Sequence, residues 1–434
     1  MHIFYSGIGG TGIGPLSLIA HEAGYEVSGS DKQDSAYLHY LKEHGITDIY
    51  IGQSYEQLAR VHERKPIDWF VYSSAIVKEQ NNSPELRFCQ EHGIKATKRD
   101  EFLNSLLEEK HLQMIAIAGT HGKTTTTAMT VWLFAQLGLP ESHSVAAKMS
   151  FAEMGTYNSR SEFFIYEADE YDRNFLAFRP RLSMITGIGW DHPDVFPTRD
   201  SYNAAFHAFL EQSEAVILWE DDVKRLNLRL QDKYTTIQER DPDINIRLRL
   251  PGQVNRKNAW EVAHAVQRLT GRPLLELLEH MNRFPGVSRR FETIAPHIVS
   301  DYAHTPEKIQ GALQTAHEVG GGDKVVIVYE GLHNTRQHFI KHELSHLFDN
   351  VKQLYIVPSY LAREDQRLPL LSPADLKTLL SSKSQAHTTA TDLDDSLAAA
   401  IRQHADAGDL VVCISAGGGG SLDEWLRKRF TSDG

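Results

Sequence analysis

Only two cysteines, Cys89 and Cys413, occur in 434 residues, which excludes both a disulfide framework and a cysteine zinc cage. So few thiols fit a reducing compartment. No apolar run reaches the roughly 18 residues of a membrane helix, and the opening MHIFYSGIGG has neither a basic leader nor a long apolar stretch. A membrane span and a signal peptide are therefore not expected, and the cytoplasm is the expected compartment. Cations are in deficit: 45 Lys and Arg against 57 Asp and Glu leave a net charge of −12. A surface that neutralises nucleic-acid phosphates carries the opposite balance, so no nucleic acid is expected as partner. A local basic pocket for a small phosphorylated ligand stays compatible with that sum. Internal repeats and low-complexity tracts are absent as well.

What is present is ordinary globular composition, 41% hydrophobic and 24% charged, in a chain long enough for two or three domains. Short apolar runs alternate with helical patterns, which predicts parallel sheets with crossover helices. HIFYSG, YEVSGSD and DWFVYSSA read as strands, with helices at Ile13–Ala23 and in SPELRFCQEHG. Charged Lys98–Lys110 reads as a connection to a second unit that opens QMIAIAGTHGKTTTTAM, strand, glycine turn, helix. FFIYEADE, RLSMITGIG and AVILWE continue it as strands, and NRKNAWEVAHAVQRLTG as an amphipathic helix. A third alternation runs from about Pro285 through HIVSDYA, KVVIVYEG, KQLYIVPSY and LVVCISAGG. The expected fold class is α/β, as three consecutive α/β domains over residues 1–106, 107–284 and 285–434.

The strongest local signal is Gly119-Thr120-His121-Gly122-Lys123-Thr124-Thr125 between strand and helix. Backbone N–H groups at such a turn form an anion-binding concavity, and a lysine adds charge for terminal phosphates. The Thr124 hydroxyl is placed to ligate Mg²⁺. The common GxxxxGK[ST] pattern would need glycine where Ile117 stands, so this loop is a variant. Downstream, Glu167-Ala-Asp169-Glu170-Tyr-Asp172 puts four acids in six residues at a strand end, a cluster that a cation would relieve. Trp190-Asp191-His192-Pro193 follows another strand and offers an imidazole. A nucleoside triphosphate site is the working reading. Gly7, Gly9 and Gly12 form a GxGxxG after the first strand, which taken alone would suggest NAD, with Asp31 on the ribose.

In this order GTHGKTTTTAM, EADEYD, Asp191-His192, RRFE at 289–292 and DYAH at 301–304 resemble the Mur ligase family along nearly the whole chain. The N-terminal GIGGTGIGPLSLIAHEAGYEVSGSD and SSAI at 73–76 are most similar to its L-alanine-adding branch. The resemblance implies an N-terminal Rossmann-like domain for UDP-N-acetylmuramate, a central P-loop domain for ATP, and a C-terminal domain that closes over ATP and binds the acceptor. It gives Gly9, Gly10, Thr11 and Gly12 to the UDP-sugar pyrophosphate, with Ser74 a second phosphate contact and Asp31 a polar contact. It implies a two-step reaction in peptidoglycan biosynthesis, hence in cell wall, shape and division: the muramoyl carboxylate takes the γ-phosphoryl group of ATP, and an amine displaces phosphate. Lys123, Glu167 and His192 then stand at the reaction centre, the last two with Thr124 as Mg²⁺ ligands. Asn255, Asn258, Arg290, Asp301 and His304 match nucleotide-facing positions. His333 and Arg336 match the acceptor site, and the expected assembly is monomer or dimer.

Several positions depart from the family pattern. Val254 replaces a histidine ahead of Asn255 and Asn258, Gly187-Ile188-Gly189 lacks two polar side chains, and SAGGGGS at 415–421 replaces Gly-Ala-Gly-Asp. Only the second of two acceptor arginines is kept, as Arg336. Glu330, Asn334, Thr335 and Tyr171 look instead like the branch that attaches a murein tripeptide. A non-catalytic relative is a further alternative. From another class, His342-Glu343-Leu-Ser-His346 with His338 one turn earlier is a formal zinc-hydrolase motif.

Overall fold

The computed structural model describes residues 1–73, 83–192, 195–361 and 364–431; Ser74 lies outside them. The chain forms two compact units, Met1–Leu248 with Lys257–Phe284, and Arg249–Arg256 with Pro285–Gly434. All described sheets belong to the expected α/β class.

The first unit holds two sheets. One is fully parallel, with strands ordered Ile49–Ile51, Glu26–Asp31, His2–Ser6, Trp69–Tyr72 and Lys95–Lys98. The other runs Tyr234–Ile237, Val216–Trp219, Leu182–Ile185, Gln113–Ala118, Phe163–Glu167, Glu141–Ser144 and Gly155–Thr156, parallel except for its last pair. Side-chain alternation divides the first strand between two cores. Ile3 and Tyr5 join the larger one, whereas Phe4 packs with Leu58, Phe70 and Phe88 on the opposite face.

The charged segment read as a connection is in fact the helix Arg99–Glu109. Its Phe102, Leu103, Leu106 and Leu107 are buried at helical spacing, and charged residues between them mask the stripe. That stripe belongs to one continuous cluster running from Ile3 and Trp69 to Met114, Phe164 and Phe206, which explains why two sheets share one unit. Phe102 sits edge-on to Tyr5 at 5.6 Å and to Trp69 at 5.4 Å. The Asp221–Arg249 stretch, patternless in sequence, supplies the strand Tyr234–Ile237 and short helices Glu220–Arg225 and Asp243–Arg247.

In the second unit an antiparallel hairpin, Glu292–Ala295 and Ile298–Asp301, leads into the parallel strands Leu410–Ile414, Val325–Leu332, Gln353–Tyr360 and Thr388–Ala390. Val325, Ile327 and Tyr329 face one core, Val326 and Val328 the other. Both faces of a parallel sheet are covered, so the strand reads as a continuous apolar run. No helix among the described residues is long and apolar enough to cross a membrane.

Phe102→Ala should cost about 3–5 kcal/mol, the usual range for emptying a buried aromatic site. Denaturant unfolding of the intact chain reads this out, and a loss below about 1 kcal/mol would deny the helix its place in the shared core.

Candidate functional site

The phosphate loop follows the strand Gln113–Ala118, and its shape depends on two glycines. Gly119 has φ +136° and Gly122 φ +85°, backbone that side chains rarely adopt. A Cβ on Gly119 would also meet the Thr186 hydroxyl, and one on Gly122 would come within 3.0 Å of Asn258 Oδ1. Gly122 caps the helix Lys123–Gln136, whose first N–H groups therefore open toward the loop.

Lys123 folds back over this turn. Its Nζ donates to Gly119 O at 2.7 Å and to Glu170 Oε2 at 2.6 Å, and the Glu170 side chain is fully buried. Burial opposes the lysine's charge, but Glu170, Asp169 and Glu167 outweigh it and hold its pKa above the ordinary value. In the sequence Glu170 is one acid of a run; in the structure it is the counter-charge of Lys123. Tyr202, also unassigned from sequence, reaches Thr120 Oγ1 at 2.7 Å and Glu170 Oε1 at 3.4 Å. Thr124 Oγ1 donates to Glu167 Oε1 at 3.0 Å, and Thr125 is buried one residue further along the helix. Thr186 Oγ1 donates to His121 O, fixing the loop from the neighbouring strand end.

His192 lies at the same edge, with Nε2 3.7 Å from Glu170 Oε1 and its ring 5.0 Å from that of Tyr171. Tyr171 thus packs on the histidine. No group of three or more His, Cys, Asp or Glu side chains converges as a metal cage among the described residues. The oxygen pair Thr124 and Glu167 is nevertheless suited to Mg²⁺, which takes few protein oxygens and keeps water and phosphate as its other ligands. Asp172 and Arg173 both have positive φ, +54° and +59°, a strained turn that the 2.7 Å contact of Lys98 Nζ with Asp172 Oδ2 helps to hold.

The glycines at 187 and 189 have structural work here. Gly187 has φ +121°, and its carbonyl accepts from Thr120 N at 2.8 Å. Gly189 N donates to Thr120 Oγ1 at 2.8 Å, and that hydroxyl donates back to Gly189 O at 2.5 Å. Asp222 accepts from Ile188 N at 3.0 Å, and burial raises its pKa to about 6. Backbone bonds therefore position this segment where the family uses side chains.

At the N-terminal turn, Asp31 does not reach outward. Its Oδ2 accepts from Gly9 N at 2.8 Å, and a Cβ on Gly9 would crowd that carboxylate at 2.9 Å. Gly10 N closes the turn onto Gly7 O at 3.0 Å. Beneath it lies Glu85, a residue that sequence reading passed over. Ser30 Oγ donates to Oε1 at 2.6 Å and Ser6 Oγ to Oε2, and burial drives the carboxyl pKa up to about 7 against the help of those two hydroxyls.

In the second unit Asp301 accepts from Phe291 N and Ala303 N, both at 2.8 Å. The Arg290 guanidinium lies 4.6 Å from the centre of the Tyr302 ring, and His304 is edge-on to the same ring at 5.2 Å. Burial, then the charges of Lys308, Arg336 and Arg290, lower the His304 pKa to about 2, so this imidazole is neutral. Asn258 is buried at the phosphate loop of the first unit, whereas Asn255 is half-buried and donates to Pro251 O at 2.9 Å. Val254, which stands for the expected histidine, is 46% exposed.

His333 has φ +56°, lies 3.8 Å from Glu364, and immediately precedes the helix Asn334–Leu344 that carries Arg336. The side chains suggesting a tripeptide acceptor are engaged within the protein. Glu330 is buried and accepts from Ser415 Oγ at 2.5 Å and Leu422 N at 2.8 Å. Asn334 binds Pro369 O and Leu371 N, and Thr335 binds Glu364. The glycines replacing Gly-Ala-Gly-Asp seat a ring: a Cβ on Gly417 would lie 2.6 Å from Tyr360. As for the zinc motif, His338 contacts Pro369 O at 2.8 Å and His346 contacts Asp349 at 2.9 Å, so the imidazoles are not gathered on a metal.

Two outcomes follow from these buried charges. Lys123→Ala leaves the Glu170 carboxylate buried without its partner, so it should destabilise the protein by about 3–5 kcal/mol, and adding Glu170→Gln should recover most of that. Thermal unfolding of the single and double variants measures it; a stable single variant would contradict the ion pair. Glu85 works through pH. Its folded pKa of about 7 exceeds the ordinary carboxyl value of 4.5, so its stabilising contribution is full below 4.5 and declines as pH rises toward 7. Denaturant midpoints should fall over that interval in the wild type by more than in Glu85→Gln; equal slopes would refute the assignment.

Comparison with known proteins identifies the family of the chain. Residues 2–111 match the model for the Mur ligase family catalytic domain, 117–247 the Mur ligase middle domain, and 289–417 the Mur ligase glutamate ligase domain. The UDP-N-acetylmuramate–L-alanine ligase of Thermotoga neapolitana is 30% identical over 362 residues, covering 76% of each chain. That of Kineococcus radiotolerans is 29% identical over 457 residues, covering 95% of this chain and 92% of its own. The crystal structure of the UDP-N-acetylmuramate–alanine ligase MurC from Thermotoga maritima superposes with a TM-score of 0.76 at 22% identity, over 99% of this chain and 98% of that one. With its lysine-bearing phosphate loop, its acidic strand end and three matched domains in family order, the chain belongs to the Mur ligase family.

Proposed function

We propose that this protein is an ATP-dependent ligase that joins L-alanine to UDP-N-acetylmuramate, acting in the cytoplasm on the cell-wall precursor. The observation that carries the reading is Lys123, held over the phosphate loop between Gly119 O and the buried Glu170. Two anions, a carboxylate and a triphosphate, must meet before an acyl phosphate can form, and fixed cations lower that barrier. Lys123 exchanges its internal partners for the terminal phosphates while the loop N–H groups orient them. Thr124 and Glu167 are the residues to hold Mg²⁺, which offsets phosphate charge when bound. His192, beside Glu170, faces the same edge and serves as the further polar group of that site. Arg290, Asp301 and His304 act on ATP from the C-terminal domain. The neutral His304 can accept or donate a single hydrogen bond there without adding charge.

Amine attack on the acyl phosphate then needs the acceptor's own carboxylate neutralised, since burying it unpaired is costly. Arg336 supplies that charge, and His333 lies three residues before it on the same loop and helix start. Because Glu330, Asn334 and Thr335 hold the protein's own loops, nothing in that trio is left to recognise a longer peptide. The N-terminal domain over residues 1–106 carries the UDP-sugar, and the working assembly is a monomer or dimer.

The direct test is phosphate release with ATP, Mg²⁺ and UDP-N-acetylmuramate against a panel of amino acids and the murein tripeptide. L-alanine should support turnover, and Lys123→Ala, alone or with Glu170→Gln, should abolish it. Arg336→Ala should raise the acceptor KM by on the order of tenfold or more, the size of a lost charged hydrogen bond. His333→Arg should improve L-alanine use. Better turnover with the tripeptide, and no response to His333→Arg, would replace L-alanine as acceptor. Absence of turnover with every acceptor would favour a non-catalytic relative.

A further inference from the structure

Tyr202 has one hydrogen to give and two acceptors beside it. Its ring is fully buried on the helix Arg199–Gln212, edge-on to Phe196 at 5.0 Å and tilted against Phe206 at 5.1 Å. Both neighbours are phenylalanines, so packing alone does not call for a hydroxyl here. That hydroxyl lies 2.7 Å from Thr120 Oγ1 and 3.4 Å from Glu170 Oε1. Burial, and then the charge of Glu170, raise the phenol pKa, so the hydroxyl keeps its hydrogen.

The direction of the shorter bond follows from the donors and acceptors present. A threonine hydroxyl has one hydrogen and two lone pairs. That of Thr120 donates to Gly189 O at 2.5 Å and accepts from Gly189 N at 2.8 Å. Only a lone pair is left, so Tyr202 is the donor to Thr120. At 3.4 Å the oxygens of Tyr202 and Glu170 stand farther apart than in a well-formed O–H···O bond. The other neighbour of Glu170 Oε1 is His192 Nε2 at 3.7 Å. Compensation of this carboxylate therefore falls on Lys123, 2.6 Å from Oε2. A fully buried carboxylate that gives up its cation carries a large penalty unless another donor is at hand.

We propose that Tyr202 is a positioning residue for phosphoryl transfer: as Lys123 leaves Glu170 for the terminal phosphates of ATP, the Tyr202 hydroxyl turns its hydrogen from Thr120 to Glu170 Oε1 and supports the buried carboxylate in the lysine's place. The proposal rests on the ATP-dependent reading above. Only hydrogen bonds change and no proton is transferred. The phenol O–H rotates with a short approach of the two oxygens, and the Thr120 hydroxyl can follow by donating to Tyr202 in place of Gly189 O. A neutral donor suits this task. A second cation on Glu170 would displace Lys123 permanently, whereas a phenol yields when the lysine returns.

Calorimetry with ATP and with AMP, each with Mg²⁺, on the full chain tests this. Tyr202→Phe keeps the ring and removes the hydroxyl. It should weaken ATP about tenfold to a hundredfold, the range for a lost hydrogen bond to a charged group. AMP has no terminal phosphates for Lys123, and its affinity should stay within about twofold of wild type. In a Glu170→Gln background the charge is gone, and adding Tyr202→Phe should change ATP affinity by less than about twofold. A role confined to holding Thr120 and Gly189 would persist in that background and would lower AMP affinity as well. If Tyr202→Phe does not fold, meta-fluorotyrosine incorporated at position 202 carries the test: its fluorine NMR resonance should shift with ATP and not with AMP. Unchanged ATP affinity in the folded variant, an equal loss for AMP, a loss that survives Glu170→Gln, or a fluorine signal indifferent to ATP each overturns the proposal. Wild-type protein that fails to bind ATP would defeat the functional reading itself, and this proposal with it.

Discussion

Lys123 and Glu170 meet at 2.6 Å, with the carboxylate wholly inside the protein, and much of the first unit is arranged around that contact. A buried carboxylate requires a partner, and a largely buried lysine does too. The same pair therefore holds the Lys123 ammonium against the phosphate loop. Tyr202 and His192 approach Glu170 from other elements, so the acid is a hub through which the phosphate loop, the helix Arg199–Gln212 and the Asp191-His192 edge are positioned together. Gly119 and Gly122 let the loop close tightly enough for the lysine to fold back.

A second constraint is the helix Arg99–Glu109, which has a structural face and a functional end. Its apolar stripe joins the two sheets of the first unit in one core. That burial fixes where its first turn lies, and hence where Lys98 and Arg99 meet the acidic segment. Core packing thus sets the geometry between two candidate anion sites, one at each sheet edge.

The departures from the family pattern divide by whether the protein has made them good. At 187 and 189 the lost side chains are replaced by a backbone network through Thr120 and Asp222. At 415–421 glycines accommodate Tyr360, and Arg289 ties the turn by donating to Ser415 O and Gly417 O. The missing histidine at 254 leaves an exposed valine, and nothing in the structure explains that substitution.

The sequence by itself determined the α/β class, the apolar central strands of the three sheets, and the position of the phosphate loop, while edge strands such as Lys95–Lys98 and Tyr234–Ile237 carried no such pattern. Each of these depends on local signals: apolar runs between glycine turns, and a motif whose residues are neighbours in the chain. It also located Thr124 with Glu167, because a strand end downstream of the loop is where such proteins bring a carboxylate. Tertiary structure alone decided the partners of buried charge. Glu170 was indistinguishable from the other acids of EADEYD until one of them pointed inward. Glu85 was one glutamate in a surface-like helix, and Arg99 was hidden in a segment whose charges obscured an apolar stripe. Asp31 looked available to a ribose until its carboxylate closed onto Gly9. Glu330, Asn334 and Thr335 suggested a ligand by their identity, and their bonds go to the protein's own backbone and side chains. Which charges become buried depends on contacts between residues far apart in sequence, and no local pattern encodes them.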